Sequence, residues 1–286
     1  MRGENLKPGD FIKRHRISTR LWHWINALTL LVMLMSGLMI FNAHARLYWG
    51  EYGSNYDKAW FVIDDARNSG FVEIAGVRVE TTGVLGIWKD SRGEVKRRAF
   101  PHWATIPSGY DLQSARRWHF TFAWILSVTL TLYMLRSLWN GHIWQDLHIR
   151  SWEWSPRHIW HDIKQHARLR FPTGEAAKNY NILQKLSYIA VIFMLLPLII
   201  LTGLTMSPAM NAAWPWLLEL FGGRQSARSL HFIVAFLLVA FFLVHIAMVI
   251  LAGPINEVRS MITGKYKLPG KAEVNPAPAA PQGEPV

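Results

Sequence analysis

Four histidines, His23, His119, His231 and His245, stand inside stretches of sequence that carry no charged residue. An imidazole in such surroundings is expensive and is usually kept for a chemical role. His231 and His245 are fourteen residues apart. In a helix that spacing returns to within about 40° of the starting direction and rises about 21 Å, so both rings project from one face at different depths. Two imidazoles from facing helices can fill both axial positions of a haem iron. An iron so held has no open position for substrate, which suits electron transfer. The chain has no cysteine. That excludes disulfides, thiolate-held iron–sulfur clusters and a covalently attached c-type haem, so any haem is held non-covalently.

The elements that must position these rings follow from the charge pattern. Hydrophobic residues make up 51% of the 286, and charged residues 17%, below the quarter or so usual in soluble domains. Four stretches carry no charge: 21–45, 118–135, 186–218 and 229–256. About 20 apolar residues cross a bilayer as a helix, and a backbone in lipid must bond to itself. The expected fold is an all-α membrane protein, a four-transmembrane-helix bundle. Its helices are expected from Thr19 to Phe41, Ala115 to Trp139, Ile182 to Met206 with a kink at Pro197, and Ala227 to Leu251, ended by Gly253-Pro254. An Ala43-His44-Ala45 signal cleavage site is not expected, because the preceding apolar run is longer than a signal core.

The net charge of +12 invites a nucleic-acid reading, but the basic residues cluster beside the spans. Arg2, Lys7, Lys13, Arg14, Arg16 and Arg20 precede the first. Arg150 to Lys185 separates the second from the third, and Arg259, Lys265, Lys267 and Lys271 follow the fourth. The positive-inside bias puts these regions in the cytoplasm. The segment from Asn42 to Ser114, with nine basic and nine acidic residues, then lies outside. Under that topology the histidines pair by depth: His119 with His231 at the outer level, His23 with His245 at the inner level.

Arg20, Arg116 and Arg228 each precede one of these histidines by three residues, one turn nearer the surface on the same face. Haem propionates need such cations. For Arg20 an ordinary helix-end headgroup anchor is a strong alternative, whereas Arg116 and Arg228, on the outer side, favour propionate contact. Gly37, fourteen residues after His23, either leaves room for the outer macrocycle or lets helices approach closely. His158 and His161 have a possible metal spacing with no evident thiolate or carboxylate partner. With His166 they read as part of a solvated interfacial face, as do His15, His44, His102, His142 and His148.

The expected domains are a cytoplasmic arm over 1–18, a di-haem four-helix domain over 19–268, and a Pro/Ala-rich disordered tail over 269–286. The helical domain carries an external loop (42–114) and a cytoplasmic loop (140–181), the latter with an interfacial helix from Pro156 to Arg170 lying on membrane lipid. In the external loop, Ala75-Gly76 and Asp90-Ser91-Arg92-Gly93 read as the tips of two hairpins. No internal repeat is evident.

The run Arg20-Leu21-Trp22-His23-Trp24-Ile25-Asn26 followed by Ser36-Gly37 resembles the first helix of respiratory b-type cytochrome subunits. These serve formate dehydrogenases, nickel–iron hydrogenases and thiosulfate reductases. His231 with His245, Tyr180-Asn181 with Gln184-Lys185, and the run from Gly253 to Lys265 carry the likeness through the other helices. The resemblance implies two haems b in a bacterial inner membrane, with both termini cytoplasmic. It also implies a quinone site at Asn181 and Gln184, bordered by His245. Leu183 departs from the glycine some members carry there. The long external segment is similar to the thiosulfate-reductase-type branch, which implies an extracytoplasmic molybdopterin oxidoreductase as partner. The competing reading is a self-sufficient transmembrane haem reductase of an external small oxidant or metal chelate; the loop offers no catalytic cluster for it. A non-redox anchor or transporter would not need depth-matched histidines.

Overall fold

The computed structural model describes residues 9–139, 155, 156, 160, 164 and 182–268, the side chains of Leu183 and Gln184 excepted. Asn181, the interfacial segment's other residues, five of the loop histidines and the tail lie outside the described residues.

Among the described residues, four helices are long and apolar enough to cross a membrane. The first is α1 (Ile17–Phe41) and the second α2 (Leu112–Trp139). The third combines α3 (Ile182–Ile189), a π-helical segment (Ala190–Leu195) and α4 (Leu196–Thr205). The expected kink takes this form because Pro197 has no N–H for the preceding turn, and one wider turn absorbs the loss. Two short helices follow, α5 (Pro208–Ala213) and α6 (Pro215–Leu220), each begun by a proline. The fourth span is α7 (Arg224–Leu251). Gly253, at φ +102°, ends it and caps a further helix, α8 (Pro254–Thr263), beyond the four expected spans.

Chain contacts divide the protein into two units. One holds residues 1–23, 135–190 and 241–286; the other holds 24–134 and 191–240. In the first, β1 (Phe11–Lys13) pairs antiparallel with β8 (Lys265–Lys267), and Arg14 bonds both oxygens of Glu257 at 3.0 Å. The arm and the segment after the fourth span are therefore built together.

In the second unit the segment between the first two spans folds as a small β structure. Strands β2 (Arg46–Leu47), β3 (Phe61–Ala66), β4 (Ser69–Ile74) and β5 (Val77–Glu80) form one antiparallel sheet in that order. Strands β6 (Gly86–Lys89) and β7 (Val95–Arg98) form a separate hairpin. Both expected hairpins are present. The central strand β3 was not foreseen. Its turn to β4 is Arg67-Asn68, at φ 50° and 66°, and arginine is no signal for a left-handed turn. A core of Phe41, Leu47, Phe61, Ile63, Ala99 and Phe100, with Phe232 packed against it, joins sheet and helices. Phe41 stacks on Phe232 at 4.7 Å.

Candidate haem sites

His119 on α2 and His231 on α7 face each other, ring centres 6.3 Å apart and planes at 61°. Two imidazoles on opposite sides of one iron, each bonded at about 2 Å, hold their centres roughly 6 Å apart. The other two spans fix which nitrogen is available. His119 Nδ1 donates to the Met33 carbonyl at 3.1 Å and lies 3.1 Å from Ser36 Oγ, both on α1. His231 Nδ1 lies 3.1 Å from Thr202 Oγ1 on α4, and its ring also bonds the Ile199 backbone. A carbonyl only accepts, so His119 Nδ1 carries the hydrogen; the Thr202 hydroxyl donates to the Leu198 carbonyl at 2.7 Å, so His231 Nδ1 donates to Thr202 Oγ1, and each Nε2 keeps its lone pair. That is the tautomer a metal needs.

Two glycines complete this cradle. A Cβ on Gly37 would lie 3.3 Å from His119 Cε1, and one on Gly203 3.3 Å from His231 Cε1. The nearest neighbour of Gly37 is thus an imidazole, a third reason for a missing side chain beside the two weighed from sequence.

In the other unit His23 on α1 faces His245 on α7 at 6.2 Å with planes at 53°. Phe241, one turn earlier, stacks on His245 at 5.9 Å and 18°. This pair has the same iron-holding separation. His15, near His23, is held down to about 4 by burial first, then by the charges of Arg14, His23 and Arg20; it is neutral at neutral pH.

The sequence profile of the family described as prokaryotic cytochrome b561 matches residues 14–264. The chain belongs to this family. It is an integral-membrane haem protein of the cytochrome b561 type, as the resemblance to respiratory b-type cytochromes implied. Among curated proteins it is similar to the "Putative protein-methionine-sulfoxide reductase subunit YedZ1" of Azospira oryzae, at 33% identity over 146 residues, 51% of this chain and 70% of that one. No solved structure matches.

The three arginines differ. Arg20 donates to the Ile262 carbonyl at the end of α8, where a cation meets the negative end of the helix. Arg228 donates to the His44 carbonyl and lies 5.5 Å over the Phe41 ring, so it is held by the end of α1 and the residues that follow it. Arg116 is exposed. His44 itself is held below the usual histidine range by burial, then by Arg228 and Arg46.

Sequence reading missed the hydroxyls of Ser36 and Thr202 and the clearance at Gly203. It also missed a correspondence. Met33, Ser36 and Gly37 on α1 match Ile199, Thr202 and Gly203 on α4 in type and spacing, as Arg116 and His119 on α2 match Arg228 and His231 on α7. The site is assembled from two equivalent helix pairs, a local repeat where none was evident. The signal was there: a hydroxyl residue followed by glycine in each of the first and third spans.

Proposed function

We propose that the protein is a membrane cytochrome b subunit that carries electrons between the quinone pool and an extracytoplasmic oxidoreductase through two bis-histidine haems b. One observation supports this most: two pairs of imidazoles at iron-holding separation, 6.3 Å for His119–His231 and 6.2 Å for His23–His245. When bound, haem supplies reversible one-electron exchange at its iron. The chain's part would be to hold the group between paired imidazoles and set its surroundings. His119 and His231 serve an outer haem; His23 and His245 serve an inner one. Arg116, and Arg228 from its fixed position beside His44, are the outer propionate cations, and Arg20 is the inner one. Gly37 gives the outer site its clearance.

Quinone exchange at the inner haem is proposed for Asn181 and Gln184, on the strength of the resemblance. The relative's description as a reductase subunit favours a catalytic partner over a self-sufficient reductase, and the resemblance suggests a molybdopterin enzyme. The setting is a bacterial inner membrane with both termini cytoplasmic.

The test is haem content. His231→Ala is expected to leave purified protein with about half its haem by pyridine haemochrome, one site of two being lost. Full retention would exclude His231 as a ligand. Separately, Asn181→Ala should slow reduction by added quinol while the dithionite-reduced spectrum stays unchanged; normal quinol kinetics would remove Asn181 from the site.

A further inference from the structure

Ser36 and Thr202 are buried inside apolar helices, 0% exposed in both cases. Each hydroxyl hydrogen is already committed. Ser36 Oγ donates to the Val32 carbonyl at 2.7 Å, and Thr202 Oγ1 donates to the Leu198 carbonyl at 2.7 Å. This back-bonding is common for a lone hydroxyl in a helix. Here it has a consequence across the helices. With its hydrogen turned to its own helix, each oxygen presents a lone pair to an imidazole Nδ1 at 3.1 Å. The Met33 carbonyl on one side and the Ile199 backbone on the other add a second contact to the same rings.

We propose that Ser36 and Thr202 are paired positioning residues for the iron between His119 and His231, each accepting the Nδ1–H of one ligand so as to fix its tautomer, its ring plane and its basicity. The proposal rests on the reading that these two histidines hold a haem. Partners of this kind orient a metal-bound histidine and raise its strength as a donor. A stronger donor stabilises ferric over ferrous iron, so the pair holds that haem's reduction potential down. Because the two cradles correspond residue for residue, their contributions should be similar in sign and size.

The experiment is a spectroscopic redox titration of the full-length, haem-loaded protein in detergent. Thr202→Val keeps the side chain's shape and removes the acceptor; Ser36→Ala does the same on the other ligand. One of the two midpoint potentials should rise in each variant, and rise further in the double variant, while the other stays where it was. Thr202→Ser and Ser36→Thr should restore it. The ferric electron paramagnetic resonance signal of the same haem should change with the ring plane in the first pair and return in the second. Loss of one haem from Thr202→Val that Thr202→Ser restores supports the proposal equally. An unmoved potential with full haem content overturns it, and so does a loss that the serine variant fails to restore. His231→Ala run alongside separates the claims. If it keeps both haems the underlying reading fails; if it loses one while the hydroxyl variants change nothing, only the positioning role fails.

Discussion

A methyl group added at Gly203 would press on His231 Cε1 at 3.3 Å, and one at Gly37 on His119 Cε1 at the same distance. The ring cannot yield freely, since its Nδ1 is held on that same helix. A tilt away from its rotamer costs on the order of 1 kcal/mol. Gly203→Ala and Gly37→Ala are therefore expected to weaken retention of the haem proposed between His119 and His231 several-fold, measured as haem lost on prolonged dialysis, and to leave the one proposed between His23 and His245 unaffected. At the other pair the sensitive group is His15. Its folded-state value is lowered from 6.5 to about 4, by burial and then by Arg14, His23 and Arg20. A lowered histidine binds fewer protons folded than unfolded, so its contribution is full above about pH 6.5 and is lost as pH falls towards 4. Thermal unfolding midpoints should fall across that window, less so in His15→Gln; equal slopes would remove His15 as the cause. The pairing of the four histidines was legible because histidine is rare in apolar spans and the expected topology matches them by depth. Ser36 and Thr202 were not. A hydroxyl that bonds its own helix looks the same in sequence whether or not an imidazole lies across from it.

The N-terminus of α7 is where the segment between the first two spans is fastened. The amides of Gln225 and Ser226 donate to the Gly50 carbonyl at 3.0 and 3.1 Å, which satisfies helix-end donors that have no partner inside the helix. Ser226 Oγ accepts from Gly50 N at 2.7 Å. One turn on, Ser229 Oγ accepts from Trp60 Nε1 at 2.9 Å and donates to the Tyr48 carbonyl at 2.6 Å. Gly223, at φ +101°, lies so close that a Cβ would come within 2.7 Å of Gly50 O. Gly223→Ala is thus expected to be strongly destabilising, since backbone must move on both sides of the contact. Ser229→Ala leaves a half-buried indole N–H and the buried Tyr48 carbonyl without this partner, at about 1–3 kcal/mol. Both should speed proteolysis of the 42–114 segment; unchanged cleavage rates would mean the fastening is not made. Of these elements the sequence announced the spans, through unbroken apolar length, and the hairpins, through Ala75-Gly76 and Asp90 to Gly93. It could not announce β1 pairing with β8, because three-residue strands from distant parts of the chain carry no local pattern. Nor did it announce that Ser229, read as the first uncharged residue of a span, is a fastening point.

For the whole molecule the proposed direction of insertion decides which face a partner meets. Charge argues it. The arm before α1 carries five basic residues and the 42–114 segment balances nine against nine, and it is the basic bias of short flanks that stays in the cytoplasm. The folded external segment fits this, because a sheet built on the N-terminus of α7 can present a protein surface to an enzyme that never enters the membrane. The absence of cysteine makes the claim directly measurable. Ser91→Cys puts a thiol at the exposed β6–β7 tip, and Lys267→Cys puts one at the exposed end of β8. In intact spheroplasts an impermeant maleimide should label the first and not the second, with the second labelled only after lysis. Both variants lie far in sequence from the paired histidines, so a full haem-to-protein ratio verifies that each has folded before its labelling is read. The reverse pattern would invert the protein: His119 and His231 would become the cytoplasmic pair, and an extracytoplasmic partner would have to be sought at β1 and β8 instead of at the sheet.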